Sequence, residues 1–204
     1  MITGLWGRKI GMTQVFVENA VVPVTVIGTG NWFITQVKTQ ANDGYDAVQV
    51  GQVKDKFVGT AFSKEWLKKP KHYFTVLREV RLDIAAESKV GEAIEAHREL
   101  NSGDLVDVFG ITKGCGYAGV VRRHRFGGPP ASHGSTMGKK TGSLSFFRSQ
   151  GKVIKGKRMT GHMGVDKRVM ANLKVVRIEP EAQIMLVKGC VPGKAGSLVF
   201  VRKA

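Results

Sequence analysis

The chain has 204 residues, 42% of them apolar, and carries 32 Lys and Arg against 16 Asp and Glu, a formal net charge of +16. Its two cysteines, Cys115 and Cys190, lie far apart, which excludes a disulfide framework and a CxxC metal pair, and no run of about 20 apolar residues offers a membrane-spanning helix. The opening MITGLWGRKIGM lacks an apolar run of signal-peptide length, so a cytoplasmic product with no membrane partner is expected, and the excess of base calls for a polyanion.

In chain order, residues 2–17 read as two short strands around an Arg8-Lys9-Ile10-Gly11 turn. Residues 21–27, rich in β-branched side chains, and residues 32–37 flank Gly28-Thr29-Gly30-Asn31, a hairpin signal. Asn42-Asp43-Gly44 turns into a strand over 45–50. Residues 54–73 break the pattern: Ser63 is placed to cap a short helix through Trp66 and Leu67, which Pro70 should end. The chain returns to strand over 74–82, and residues 93–100 read as a further strand. Asn101-Ser102-Gly103-Asp104 turns into a strand over 105–111. Strands over 173–178, 184–187 and 197–201 close the sequence. Short strands separated by turn chemistry favour a closed barrel or a sandwich.

Between these two sets of strands, residues 109–168 hold thirteen Lys and Arg against one acid, Asp166, together with thirteen glycines and two prolines. From 126 to 158 no period of 2 or 3.6 is sustained, so the backbone should be irregular and self-repelling, and a polyanion is needed to order it. Phe126, Phe146, Phe147, His124 and His133 offer stacking faces among the charges, which points to RNA. The remainder carries nineteen bases and fifteen acids, an ordinary balance for a folded body.

Enzyme-like motifs fail on context. Gly114-Cys115-Gly116-Tyr117-Ala118-Gly119 is a literal GxGxxG, but only seven residues separate it from Gly127-Gly128-Pro129-Pro130, too few for a crossover helix, and no Asp or Glu lies between Asp107 and Asp166 to hold a ribose. Those glycines are read as backbone turns. Gly138-Lys139-Lys140-Thr141 has neither the spacing nor the GK[ST] of a P-loop. The histidines lack zinc-site spacing, and Ser132, His133 and Asp166 lack a nucleophile elbow. No enzyme activity, cofactor, metal or small-molecule substrate is expected.

The segments GLWGRKIGMTQVF, TQVKTQANDGYDAVQVG, DVFGITKGCGYAGVVRRHRFGGPPASHGS, GKVIKGKRMTGHMG and VVRIEPEAQIMLVKGCVPG resemble the large-subunit ribosomal protein L-three family of bacterial type. The pairing of KGxGxAGxVxRxxF with GKVxKGKxMxGxMG is specific, and the likeness is weakest over about 53–73 and in the centre of the basic stretch. It implies a mainly β fold: a closed β-barrel of the translation-protein type, with a short helical excursion at 54–73 and a long irregular basic extension inserted between strands. Residues 1–125 and 157–204 would form the body, and residues 126–156 the loop that penetrates ribosomal RNA. The implied partners are large-subunit rRNA, bound near its 3′ end early in assembly, and neighbouring large-subunit ribosomal proteins. The loop would run toward the peptidyl transferase centre.

The candidate RNA contacts fall in four groups. Arg8 and Lys9 lie in the first strand region. Lys113, Arg122, Arg123, His124, Arg125 and Phe126 follow the glycine run, whose turn residues are Gly114, Gly116 and Gly119. His133, Lys139, Lys140, Arg148 and Lys152 occupy the loop. Lys155, Lys157, Arg158, His162, Lys167 and Arg168 lead out of it. Two departures from the family pattern stand out: Arg148 occupies the place of a glutamine methylated in some members, with Gln150 two places later, and residues 139–145 read KKTGSLS instead of the usual HRxPGSIG.

Overall fold

The computed structural model describes residues 4–17, 19–82, 89–96, 100–130, 132–145 and 151–204. It is mainly β, and by contact density it divides into two compact units, residues 1–111 with 167–204 and residues 112–166.

In the first unit, six strands pair in the order β1-β11-β6-β9-β10-β2, and β2 returns to β1 to close a barrel. They are β1 (Gly4–Val17), β2 (Ala20–Gly28), β6 (Leu105–Ile111), β9 (Lys167–Glu179), β10 (Ile184–Lys188) and β11 (Leu198–Lys203), every neighbouring pair antiparallel. Period-2 alternation aims one face of each strand inward: Val106 and Val108 from β6, Met185 and Val187 from β10, Val199 and Val201 from β11, joined by Leu5, Ile27 and Val175. Each such fully buried side chain contributes about 1.5–3 kcal/mol.

A separate three-stranded sheet, β3 (Trp32–Lys38), β4 (Ala47–Val53) and β5 (Phe74–Arg81), buries Trp32, Ile34, Val48, Val50 and Val80. Trp6, Leu198 and Phe200, which project from the barrel strands, pack against that cluster. Lys38 bridges the sheet's edges, donating to Glu79 at 2.7 Å and to the Tyr45 hydroxyl at 2.7 Å. The Lys38 bond, and a second that the Tyr45 hydroxyl donates to Glu79 Oε2 at 2.8 Å, hold the Glu79 carboxyl below its ordinary pKa.

Several local readings are corrected by tertiary context. Residues 4–17 form one strand of 14 residues and not two. Its register against β2 slips between Lys9 and Gly11, so Ile10 is an inserted residue that bends the strand where a reversal was expected. The turn at 28–31 joins no hairpin. Both edges of β2 are already taken by β1 and β10, so the chain crosses to the second sheet, with the Thr29 amide and hydroxyl both donating to the Gln183 carbonyl. At 93–100, Ala93 makes only an isolated bridge to Phe33, Ala96 is helical, and residues 97–99 lie outside the described residues.

Between β3 and β4, α1 (Gln40–Asp43) ends on Gly44 at φ 81°, as the Asn-Asp-Gly signal requires. In the excursion, α2 (Glu65–Lys68) starts from Lys64, while Ser63 Oγ accepts the Glu65 amide at 3.3 Å. Pro70 opens a further turn, α3 (Pro70–Tyr73), because a first helical residue needs no amide hydrogen.

Lys9 is the central correction. Expected on an RNA-facing turn, it is only 9% exposed, and Nζ donates to the carbonyls of Val191 at 2.7 Å and Gly193 at 3.2 Å. Its backbone also exchanges bonds with Ser197 and Gly196. The side chain therefore staples the 191–197 turn to β1. Replacing Lys9 by Met should leave those carbonyls unpaired and destabilise the fold by about 1–3 kcal/mol, read as a lower denaturant midpoint at unchanged slope.

Candidate nucleic-acid interface

The second unit begins and ends on a short stem. Thr112 N donates to Asp166 O at 2.9 Å, Cys115 N to Met163 O at 2.8 Å and Met163 N to Gly116 O at 2.9 Å. Two-residue strands β7 (Tyr117–Ala118) and β8 (Gly161–His162) then pair antiparallel. Gly164 lies at φ 85°, and a Cβ there would overlap the Lys113 carbonyl, so the stem closes only on glycine. The unit thus takes in the segments on both sides of the 126–156 loop.

Above the stem, α4 (Val120–His124) is a single basic turn buried through Val120 and closed by Arg125 in the left-handed region, φ 59°. Five residues are far short of the crossover helix a dinucleotide fold needs. Two of its side chains point back: Arg123 Nη1 donates to the Met159 carbonyl at 2.8 Å, and His124 Nε2 lies 3.1 Å from the same oxygen. They clamp the returning strand, and Arg122 and Arg125 are left exposed.

The remaining candidates are distributed as follows. Lys113, His133, Lys139, Lys140, Lys152, Lys155, Lys157, Arg158 and His162 are all exposed in this unit, and Phe126 is half-buried with its ring 6.2 Å from that of His124. Phe126, Pro129, Met137 and Lys140 line an open cleft. Arg148, Phe146 and Phe147 lie outside the described residues. Lys167 and Arg168 belong to the first unit, as exposed residues of β9 opposite Ile111 and Gly110. Arg8 also belongs there and is engaged within the fold, Nε donating to Gln52 Oε1 at 2.7 Å and Nη1 to Gly196 O at 3.0 Å.

One residue escaped the sequence reading. Tyr117 stands opposite His162 in register, is 78% exposed, and its hydroxyl lies 2.5 Å from Thr160 Oγ1. Directly paired residues share a face of the ribbon, so a tyrosine and an imidazole stand side by side in solvent. The pairing of two segments 45 positions apart is what brings them together, and local sequence carries no sign of it.

The cations of this unit are therefore gathered on an irregular, acid-poor surface with exposed apolar side chains, Met137, Val153 and Ile154, among them. Fold and surface together define a mainly β protein bearing a basic insertion. Residues 79–184 match the family model described as Ribosomal protein L3. The protein named "Large ribosomal subunit protein uL3" of Syntrophobacter fumaroxidans is 40% identical over 206 residues, covering 100% of this chain and 98% of that protein. The proteins of the same name from Thermobifida fusca and Thermotoga maritima are 44% and 43% identical, covering 100% and 97% of this chain and 95% of each relative. The chain belongs to the ribosomal protein L3 family.

The glycine run yields a local test. Gly116 sits at φ 66°, and no atom lies within 4 Å of the place a Cβ would take, so backbone conformation and not crowding demands glycine there. Gly116→Asn should be mild, and Gly116→Val should cost the stem about 1–2 kcal/mol, seen as faster amide exchange at Cys115 and Met163.

Proposed function

We propose that this protein is a structural constituent of the large ribosomal subunit that binds large-subunit rRNA directly. In this reading it binds near the 3′ end of the rRNA and nucleates early assembly. The barrel is of the type shared by translation proteins, and residues 126–156 form the basic loop that runs toward the peptidyl transferase centre. Neighbouring large-subunit ribosomal proteins are its other partners, and its place is the cytoplasmic ribosome. It carries out no catalysis and needs no cofactor.

The observation that carries the reading is the pairing of full-length similarity to large-subunit proteins with the exposure of the insertion's cations. Lys and Arg groups neutralise phosphates and release counterions, while glycine-rich backbone, Tyr117, His162 and Phe126 supply close approach and stacking. Lys155, Lys157 and Arg158 are exposed together just before the stem closes, and they are assigned to phosphate contact.

Affinity for rRNA should fall with salt at a log–log slope of roughly 0.7 to 0.9 per neutralised phosphate. Replacing Lys155, Lys157 and Arg158 together by Gln should make that slope shallower, and an unchanged slope would reduce the cluster to a solvated face.

Among the described residues, the three apolar clusters all lie in the first unit. Exchanging residues 127–151 for a short Gly/Ser linker should therefore leave a cooperatively melting β protein, as stable as the parent or more so because self-repulsion is relieved. RNA affinity should drop, and subunits reconstituted with it should be defective near their catalytic centre. Fully active subunits would show that the loop has no such role.

A further inference from the structure

The whole net charge of this protein resides in two segments. Outside residues 109–168 and 54–73, the chain has thirteen bases and thirteen acids. Residues 54–73 hold six lysines against Asp55 and Glu65, a net charge of +4. Lys56, Lys64, Lys68, Lys69 and Lys71 are all exposed, and none has an ion-pair partner among the described residues. Lys54 is used internally, its ammonium donating to the Lys71 carbonyl at 2.7 Å and so tying the two ends of the segment together.

What holds these charges in place is aromatic. Trp66, 4% exposed, stacks on Tyr73 with ring centroids 5.5 Å apart and planes 11° apart. Phe57, Phe62, Phe33 and Phe74 surround it at 5.6–6.4 Å. Neither α2 nor α3 is longer than one turn, and helices so short have no stability of their own, so the aromatic cluster holds them. Lys64 and Lys68 stand one turn apart, where like charges repel. A fold that builds a rigid base and then sets repelling, unpaired ammonium groups around it is preorganised for an anion.

We propose that residues 54–73 form a second RNA-binding surface, in which Lys64, Lys68, Lys69 and Lys71 contact the phosphate backbone of a duplex. The proposal deepens the reading of the chain as an rRNA binder and rests on it, but the surface lies in the other compact unit and outside the residues matched by the family model. Residues 54–73 contain no glutamine or asparagine, and lysine ammonium groups set on phosphates read charge and shape, not base edges, so the surface recognises A-form backbone without sequence preference. Such a contact positions the body on RNA independently of the insertion.

The test uses the full chain and an RNA duplex of about 16 base pairs. Changing Lys64, Lys68, Lys69 and Lys71 together to Gln should weaken binding at least about tenfold at 0.1 M salt and lower the log–log salt slope by up to about 3. The tryptophan fluorescence spectrum and the melting curve should stay as in the parent, and the same four positions changed to Arg should restore binding. Unchanged affinity and slope would overturn the proposal. So would a variant that loses binding to polyglutamate while keeping the duplex, since the surface would then dock an acidic protein. Pairing this variant with the Lys155, Lys157 and Arg158 variant separates the two readings. If only the excursion variant weakens, this surface stands and the role of the insertion fails. If only the other weakens, the reverse holds.

Discussion

The antiparallel ladder between β6 and β9 is the constraint on which the molecule's organisation depends. Ile111 leaves the barrel directly opposite Lys167, where the chain returns, and Gly110 faces Arg168 one step further in. Fifty-five residues are thus inserted between two neighbouring positions of one ladder. Closing a loop of that length costs only slowly growing entropy, and the ladder pays it inside the body, where Val106 and Val108 are fully buried. Among the described residues, the barrel's core cluster is accordingly built from side chains outside the insertion.

The insertion coheres by different means. Its stem is held by backbone bonds and by a two-residue ribbon, and its only helix among the described residues is anchored through Val120 and the Met159 carbonyl. Repulsion among exposed cations acts over about 10 Å at 0.1 M salt, so the like charges oppose each other throughout a surface of this kind. Arg123 shows how the tension is met locally: its guanidinium, turned onto the Met159 carbonyl, is one charge fewer facing outward.

What sequence alone reveals depends on how local the determining physics is. The inward rows of β6 and β11 follow from strict alternation of Val106 with Val108 and Val199 with Val201, and such strands are legible at sight. Arg8-Lys9-Ile10-Gly11 misleads because a polar pair beside glycine looks like a turn, and the carbonyls that satisfy Lys9 lie more than 180 positions away. Gly28 to Asn31 misleads for a related reason: turn chemistry shows that the chain bends, and only the competition for β2's edges decides which sheet it bends toward. Over residues 109–168 the charge and its call for a polyanion are readable, because thirteen bases against one acid need no fold to interpret them. The division of Arg122, Arg123, His124 and Arg125 into outward and clamping side chains is not, since it turns on where Met159 comes to rest.

The order of strands around the barrel also bears on when the molecule can form. β11, the last strand in chain order, lies between β1, the first, and β6. During synthesis, every residue of the basic insertion is made while β1 and β6 still lack their shared neighbour, with unpaired edges open to mispairing. Non-local pairings of this kind are slow to form. A nascent chain consequently exposes its whole cationic segment before the last strand is available to close its barrel.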